Sequence, residues 1–422
     1  MLIATVTSER ARAFRIFVRL LTIGAAVPAC LAIVGAQRAA PGAEEADAIR
    51  AQLLARLTEL QRDSAVPGGT AAIVLPDGRS FETAVGMSDA TRAIAMKPGD
   101  LMMSGSTGKT FVAATTLQLV AERRLQLDDP ISKWLGRSNW FDRLPNASEI
   151  TVRMLLNHTS GVPDHVVNHA FIDEVFASPD RVWRPDELVR YILDQPAQSR
   201  AGAEQHYTDT NYILLGMVIE SVTSSTYYVE LKRRILDPLG LRHTVPSDRR
   251  RIPGLVQGYS GGAKRSWLAY GGEQLGKAPQ PGSAAAADEM LVNGEFVVNP
   301  QFEWTGGGLA TTTEDLARWG KAVYEGRVFP NALLEEAVRA PSISTNGRNY
   351  YGLGVSVSST LLGLRYGHGG FYPGYRAAMA YFPEQKIAVA VLMNSTAAGT
   401  KNFSQEFIRG SRAARAIDAH PR

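Results

Sequence analysis

A serine and a lysine stand three positions apart in the segment Ser106-Thr107-Gly108-Lys109. If a helix begins near Ser106, the two side chains lie one turn apart on the same helix face. A neutral lysine can then accept the serine proton, and serine is a weak nucleophile without such a partner. Backbone N–H groups at a helix start also suit a developing oxyanion. Alone, the motif is ambiguous, because a Ser-x-x-Lys match arises about once by chance in a chain this long and also fits a capped helix with a solvated lysine.

Two other segments hold polar side chains beside predicted apolar elements. Tyr207-Thr208-Asp209-Thr210-Asn211-Tyr212 precedes the apolar run Ile213-Leu214-Leu215-Gly216, and His368-Gly369-Gly370 lies beside a predicted strand. Alone, the first fits a polar turn ahead of a buried helix. The second fits a histidine at the end of a strand, with the glycines in a turn.

The surrounding sequence predicts strands near both ends of the chain and helices between them. Runs of strand-forming residues predict strands at 70–75, 81–85, 364–366, 377–382 and 387–393. Helical spacing predicts helices at 44–63, 107–124, 212–222 and 316–323, with a closing helix at 403–417. The stretch 259–287 is rich in glycine, alanine and proline and predicts a long irregular segment.

This order of elements predicts an α+β fold in which one antiparallel sheet, flanked by helices, is built from both ends of the chain. We expect the mixed α/β part at about 44–130 and 290–422, and an inserted, mostly helical part at about 131–289. With 422 residues, the chain is long enough for two such parts that share a large core. The cleft between them is the expected place for a site.

Taken together, the three polar segments resemble those of a known family in their order and spacing. From about residue 44 to Asn394 the sequence resembles the class C β-lactamases, the D-alanyl-D-alanine carboxypeptidases and the esterases related to both. The likeness includes further stretches at 106–114 running on to 127–130, at 150–161, and at 305–309 with 311–318. The resemblance implies a β-lactamase/transpeptidase-like fold and a serine hydrolase that works through an acyl-enzyme, with no cofactor or metal.

The resemblance also implies roles for individual residues. Ser106 corresponds to the acylated nucleophile, and Lys109 and Tyr207 correspond to the pair that shares general-base and general-acid work. His368 stands where many members carry the lysine of a Lys-Thr-Gly strand motif. The backbone N–H groups of Ser106 and Phe371 correspond to the oxyanion hole. Substrate contacts are expected from Asp209, Gly370, Phe371 and Arg376.

Asp209 departs from the family pattern, since the β-lactamases usually have asparagine at this place in Tyr-x-Asn. A carboxylate only accepts hydrogen bonds, whereas an amide also donates them. The negative charge favours the ammonium form of Lys109 and opposes the use of that lysine as a base. Because a positive neighbour lowers the pKa of a tyrosine, we expect Tyr207 to be the main base.

His368 is the second departure, because a histidine with a pKa near ~6.5 is largely neutral at pH 7. Together, Asp209 and His368 make the pocket less attractive to the carboxylate of a β-lactam or a D-Ala-D-Ala peptide. We therefore expect a neutral ester or amide to be turned over better than a penicillin or cephalosporin, as in an esterase or a D-amino-acid peptidase. Arg376 lies just beyond, and is either a replacement cation or a solvated strand residue.

Other functions stay open at this point. A β-lactamase is one alternative, and a catalytically silent relative that binds cell-wall fragments or a partner protein is another. The segment Gly258-Tyr259-Ser260-Gly261-Gly262 matches a nucleophile elbow, but an elbow needs a strand before it and a helix after it, and 263–270 do not predict a helix. His165 and His169 have the spacing of a zinc pair without the glutamate of His-Glu-x-x-His, so we expect ordinary loop or helix-surface residues.

The formal net charge of +4 is concentrated at the start of the chain. Residues 1–36 contain four arginines and one glutamate, a net of +3, so the rest of the chain offers no basic patch for nucleic acid. The arginines precede an apolar run at 20–36, which predicts a signal peptide cleaved after Ala36 and export to the periplasm or the exterior. A retained membrane anchor and lipidation at Cys30 are the alternatives.

Overall fold

The computed structural model describes residues 43–260, 262–270, 289–341 and 348–397. The predicted signal segment at 1–36, the lipidation alternative at Cys30 and the closing helix at 403–417 lie outside the described residues. The part of the predicted irregular stretch from 271 to 287 also lies outside them.

The described strands form one large sheet and two small ones. They are β1 Gly68–Val74, β2 Ser80–Asp89, β3 Ile94–Ala95, β4 Met102–Met103, β5 Val245–Pro246, β6 Leu291–Val292, β7 Glu295–Phe296, β8 Leu309–Thr311, β9 Asn349–Tyr351, β10 Ser356–Thr360, β11 Gly363–Tyr372, β12 Tyr375–Phe382 and β13 Ile387–Met393. The large sheet has the order β3-β2-β1-β13-β12-β11-β10-β9, and its neighbouring strands run antiparallel. Gly69 on β1 pairs with Met393 on β13, so the two ends of the described chain meet in the middle of the sheet.

Helices cover both faces of this sheet. They are α1 Ala43–Ser64, α2 Lys109–Ala121, α3 Ser132–Leu135, α4 Val152–Leu156, α5 His169–Ala177, α6 Pro185–Val189, α7 Asp209–Thr223, α8 Tyr227–Leu231, α9 Asp237–Leu239, α10 Ala263–Tyr270, α11 Thr313–Tyr324 and α12 Asn331–Ala337. The confirmed fold is therefore the β-lactamase/transpeptidase-like arrangement of an antiparallel sheet with flanking helices.

β1 shows why the sheet needs a cover on each face. All seven of its residues are buried, and the alternation of a strand sends Ala71 and Ile73 to one face and Ala72 and Val74 to the other. The first face packs against the apolar stripe of α1, and the second joins the core that contains α2 and α11. Each large apolar side chain buried in this way contributes about 1.5–3 kcal/mol.

The helices from α3 to α9 all come from the middle of the chain, between β4 and β5. α7 is buried along most of its length, and α2, α3, α4 and α6 pack against it. The boundaries at about residues 131 and 290 stay a prediction.

α10 corrects one expectation, because the stretch 263–270 is helical. The helix is short, and its local pattern is weak. Its Trp267 is only 4% exposed and packs edge-on against Phe302 and Phe371, so tertiary burial rather than propensity accounts for the helix. A nucleophile elbow at Ser260 would also need a strand before the serine. Tyr259 makes isolated β-bridges only, so that strand is missing there.

Across the described ranges, no helix has both the length and the apolar character needed to cross a membrane.

Candidate active site

Ser106 lies in a tight turn that leads into α2. The turn is a 3-10 helix at Gly105–Gly108, and α2 begins at Lys109 rather than at the predicted position 107. Gly105 has a φ of +48°, and a Cβ at this position would lie 2.6 Å from the backbone nitrogen of Phe371. Only glycine fits such a left-handed turn against another backbone. The close approach brings β11, with the Phe371 N–H group, beside Ser106.

A second backbone contact holds the other side of the turn. A Cβ on Gly108 would lie 2.4 Å from the carbonyl oxygen of Gly307, and the Ser104 hydroxyl donates to the same oxygen at 3.0 Å. The glycines of the 305–309 stretch therefore let one loop lie flat against the Ser106 turn.

Lys109 is fully buried, and three acceptors surround its amine. Nζ donates to Ser106 Oγ at 3.1 Å, to Asp209 Oδ1 at 2.5 Å and to the Gly306 carbonyl at 2.5 Å. An ammonium group has three N–H donors and no lone pair. The adjacent Asp209 carboxylate favours this form of Lys109, and the two side chains make a buried ion pair, as the carboxylate at position 209 led us to expect.

Asp209 is held at the start of α7. Thr208 caps the helix by accepting from the Thr210 N–H at 3.0 Å, and Asp209 occupies the first helical turn, where a negative charge is favourable. The Asp209 N–H donates to Asp164 Oδ1 at 3.1 Å. Helix geometry and a neighbouring loop thus fix the carboxylate that faces Lys109.

Two further carboxyl groups lie near this ion pair, and no sequence motif predicted either of them. Burial, together with the charge of Asp209, raises the pKa of Asp164 to about 7. The same two causes raise the pKa of Glu303 well above its usual range. Of the three carboxyl groups, Asp209 is the one that forms an ion pair with Lys109.

Tyr207 is 38% exposed as a residue, and its hydroxyl is close enough to the Ser106 side chain for that side chain to act on its pKa. Desolvation, followed by the charge of Asp209, raises the pKa of Tyr207 well above its usual range. The expectation that Lys109 lowers this pKa is therefore wrong, because Asp209 offsets the positive charge and the phenol is poorly solvated. Tyr207 is a protonated phenol at neutral pH.

His158 packs against the ring of Tyr207 and helps to position it. Its Nδ1 accepts from the Thr208 N–H at 3.2 Å and from the Asn211 amide at 3.3 Å, which assigns the proton to Nε2. The imidazole lies against the Tyr207 ring at a centroid distance of 4.2 Å. Burial lowers the pKa of His158 well below its usual range, so the ring is neutral.

His368 has both ring nitrogens engaged by protein groups. Nδ1–H donates to the Gly369 carbonyl at 2.6 Å, and Nε2 accepts from the Tyr351 hydroxyl at 2.8 Å. Burial lowers the pKa of His368 to about 4, so the imidazole is neutral at pH 7, as expected. Sequence reasoning missed Tyr351, because nothing in its local pattern distinguishes it from the other tyrosines.

The remaining predicted residues lie along β11 and β12. A Cβ on Gly370 would come within 2.0 Å of the Ser104 carbonyl oxygen, so this glycine lets β11 pass close to the nucleophile turn. The Arg376 guanidinium lies 4.5 Å from the centre of the Phe371 ring, and its Nε donates to the Thr396 carbonyl at 3.0 Å. Arg376 is therefore held by Thr396 and Phe371, and its role as a replacement cation stays a prediction.

The two candidate zinc ligands are in different environments. His165 is buried, and its Nδ1 lies 3.0 Å from Thr210 Oγ1. His169 is exposed at the start of α5. Within the described ranges, no group of three or more His, Cys, Asp or Glu side chains is placed to hold a metal ion.

The sequence profile described as Beta-lactamase matches residues 51–409. The chain belongs to the β-lactamase family. Its relatives of this fold are serine hydrolases, and the protein is an enzyme of that class.

Two curated bacterial proteins are similar to this chain over different lengths. PbpX of Bacillus subtilis (strain 168), which bears the name of a penicillin-binding protein, is 23% identical over 326 residues, covering 77% of this chain and 70% of PbpX. Protein flp of Staphylococcus aureus (strain COL) is 28% identical over 177 residues, covering 42% of this chain but only 34% of flp. The chain thus matches about a third of flp.

Among solved structures, a D-stereospecific amidohydrolase from Streptomyces sp. superposes with a TM-score of 0.70 at 28% identity, covering 85% of this chain and 97% of that one. The D-amino acid amidase from Ochrobactrum anthropi SV3, complexed with L-phenylalanine, gives 0.68 at 24% identity, covering 88% and 99%. The second likeness shows the fold alone.

Proposed function

We propose that this enzyme cleaves a neutral ester or amide through an acyl-enzyme on Ser106, as an esterase or a D-amino-acid peptidase. The observation that carries the proposal is the 3.1 Å hydrogen bond between Lys109 Nζ and Ser106 Oγ, inside a buried ion pair. A capped helix with a solvated lysine would leave that amine in water, whereas Lys109 is 0% exposed.

The proposed reaction begins with attack of Ser106 Oγ on the carbonyl carbon of the substrate. The backbone N–H groups of Ser106 and Phe371 stabilise the oxyanion, as the approach of Gly105 to Phe371 supports. Lys109, which is hydrogen-bonded to Ser106 Oγ, and the nearby Tyr207 hydroxyl carry protons between the nucleophile and the leaving group. Water then attacks the acyl-enzyme in place of the serine. The same proton-carrying groups take a proton from the water and return one to Ser106 Oγ as the acyl group is released.

The charges of the site support a neutral substrate. Lys109 is paired with Asp209, His368 is uncharged, and Arg376 lies on Phe371. Among the described residues assigned to this site, each cation therefore already has a protein partner. A substrate carboxylate would have to displace one of them, while an ester or a carboxamide needs only the hydrogen bonds of the backbone. Similarity to the D-stereospecific amidohydrolase supports an amide rather than an ester as the substrate.

We also propose that residues 1–36 direct export to the periplasm or the exterior. The arginines followed by an apolar run and Val34-Gly35-Ala36 support cleavage after Ala36. Retention of the segment as a membrane anchor is the competing outcome. Amino-terminal sequencing of the protein recovered from the periplasmic fraction distinguishes the two.

The activity test compares purified enzyme on p-nitrophenyl butyrate, a D-amino acid amide, a D-Ala-D-Ala peptide and nitrocefin, with Ser106→Ala as the control. We expect turnover of the ester or the D-amino acid amide to exceed that of the two anionic substrates and to vanish in the variant. Faster nitrocefin hydrolysis would instead make the protein a β-lactamase. A fluorophosphonate probe adds an independent measure, because a silent relative that only binds cell-wall fragments or a partner protein would not be labelled at Ser106.

A further inference from the structure

The resting site contains no obvious acceptor for the serine proton. The Asp209 carboxylate, 2.5 Å from Nζ, favours the ammonium form of Lys109, and an ammonium nitrogen has no lone pair to offer. The Tyr207 phenol is protonated at neutral pH, as described above. Either group becomes a base only after a proton has left it, and the Lys109 side chain is fully buried.

We propose that Asp209 accepts this proton from Lys109, so that the two side chains act together as the general base. The inference rests on the proposed function, since it assigns the last member of its proton route. Asp209 thus becomes a positioning residue that acts through Lys109, rather than the substrate-binding residue expected from the sequence.

The step balances without any outside group. One N–H bond of the Lys109 ammonium breaks, and an O–H bond forms on Asp209 Oδ1, which leaves a neutral amine beside a neutral acid. The amine lone pair takes the proton of Ser106 as Oγ bonds to the substrate carbonyl carbon. The resulting ammonium then protonates the leaving group, and Asp209 returns its proton to Lys109 as the site resets.

The geometry favours Asp209 over the other neighbours of the amine. The Gly306 carbonyl, which also accepts from Nζ, has no useful basicity, and Ser106 is the group to be deprotonated. The lysine side chain is 0% exposed and the aspartate side chain 8% exposed, so little solvation stabilises the separated charges. Conversion of a buried ion pair into two neutral groups removes part of its desolvation penalty.

The surrounding charges set the direction of the pH dependence. Several titratable groups face the pair. They are Tyr207 before α7, Tyr212 on α7, Asp164 in the loop before α5, Glu303 in the turn at Pro300–Gly306, and the neutral imidazoles of His158 and His368. His165 also faces Asp164, and burial lowers its pKa to about 3, so it is neutral. Because the proton passes from Lys109 to Asp209, removal of the Asp209 carboxylate must change the pH at which the Lys109 amine becomes available as a base.

The deciding experiment is the pH dependence of kcat/KM for Asp209→Asn, with p-nitrophenyl butyrate or whichever substrate the wild type turns over. The variant base must lose its proton to solvent, so we expect kcat/KM at pH 7 to fall ~10²- to 10³-fold. We also expect activity to return as pH rises, with the acid limb at least about two pH units above that of the wild type. An unchanged acid limb, or a loss of activity that is flat in pH, would overturn the proposal.

Matched variants separate this role from a structural one. Asp164→Asn removes a neighbouring carboxyl without touching Lys109, and we expect its acid limb to stay within about one pH unit of the wild type. Asp209→Glu restores a carboxyl and should return the limb toward its wild-type position. If Asp209→Asn unfolds, Asp209→Ser serves for the same profile. Fluorophosphonate labelling of the wild-type enzyme separates two kinds of failure. If Ser106 is not labelled, the proposed function is wrong. If Ser106 is labelled, the pH profiles test only the role of Asp209.

Discussion

The two walls of the site handle charge in different ways. The helical wall, at the starts of α2 and α7, buries Lys109 against Asp209 and surrounds the pair with further acids. The sheet wall, on β11 and β12, presents a neutral His368, a guanidinium stacked on a ring, and backbone groups beside Ser106. The helical wall is thus equipped to move a proton. The sheet wall is equipped to hold a substrate by shape and backbone hydrogen bonds.

Lys109→Met tests the helical wall, and we expect the largest effect there. Loss of the amine should lower kcat/KM by ~10³- to 10⁴-fold. It also leaves a buried carboxylate without its partner, so the free energy of unfolding should fall by about 3–5 kcal/mol. Urea unfolding and steady-state kinetics measure both. The double variant Lys109→Met with Asp209→Leu should recover stability but not activity, and a single variant as stable as the wild type would remove the contrast between the walls.

His368 gives the sheet wall a pH-dependent stability. Its pKa is about 4 in the fold and near 6.5 in the unfolded chain, so between these values only the unfolded chain binds the proton. The free energy of unfolding should therefore decrease as pH falls from 6.5 to 4, by up to about 3 kcal/mol from this residue. His368→Gln should show a shallower slope over that window in urea unfolding. An identical slope in the variant would show that the imidazole does not titrate in this way.

Two adjacent glycines on β11 test how closely the sheet wall meets the nucleophile turn. A Cβ on Gly370 would clash with the Ser104 carbonyl, and overpacking of this kind costs about 1–3 kcal/mol. Gly369 has nothing within 4 Å of that point and is the matched control. We expect Gly370→Ala to lose stability and activity and Gly369→Ala to keep its stability. Equal melting temperatures would mean that the strand and the turn are not held in contact.

Arg376→Gln should have the smallest effect. Because the guanidinium is bonded to Thr396 and stacked on Phe371, its removal should change kcat/KM for a neutral ester by less than about threefold. The ratio of ester to nitrocefin turnover should also stay within that range. A selective loss of nitrocefin turnover would show that Arg376 recognises a carboxylate after all.

Sequence reasoning recovered what depends on local spacing. The three-residue separation of Ser106 and Lys109 predicted their contact, and the predicted stripe of α1 lies in the core with Ile49, Leu53 and Leu57. The strand predictions at both ends also located the sheet, although β11 is longer than predicted because its glycines continue the strand.

What was missed depends on contacts between distant residues. Asp164 and Glu303 reach the Lys109 pair from separate loops, and Tyr351 reaches His368 from another strand. The prediction of a lowered pKa for Tyr207 was wrong for the same reason. Its sequence neighbour Asp209 was known, but the desolvation of the hydroxyl comes from the packed fold. The local sequence pattern does not show which polar groups the fold will bury.

The pairing of β1 with β13 has a consequence for the state of the chain while it is being synthesised. The Gly68 N–H donates to Asn394 Oδ1 across 326 positions. A ribosome that adds about 5–20 residues each second needs roughly 15–65 s to cover that distance. Throughout this interval β1 has one unpaired edge, and β11, which shapes the Ser106 turn, is among the last strands to emerge. Ser106 is therefore synthesised long before the strands that complete its site. Until β13 has been made, the open edge of β1 must be protected from pairing with other chains.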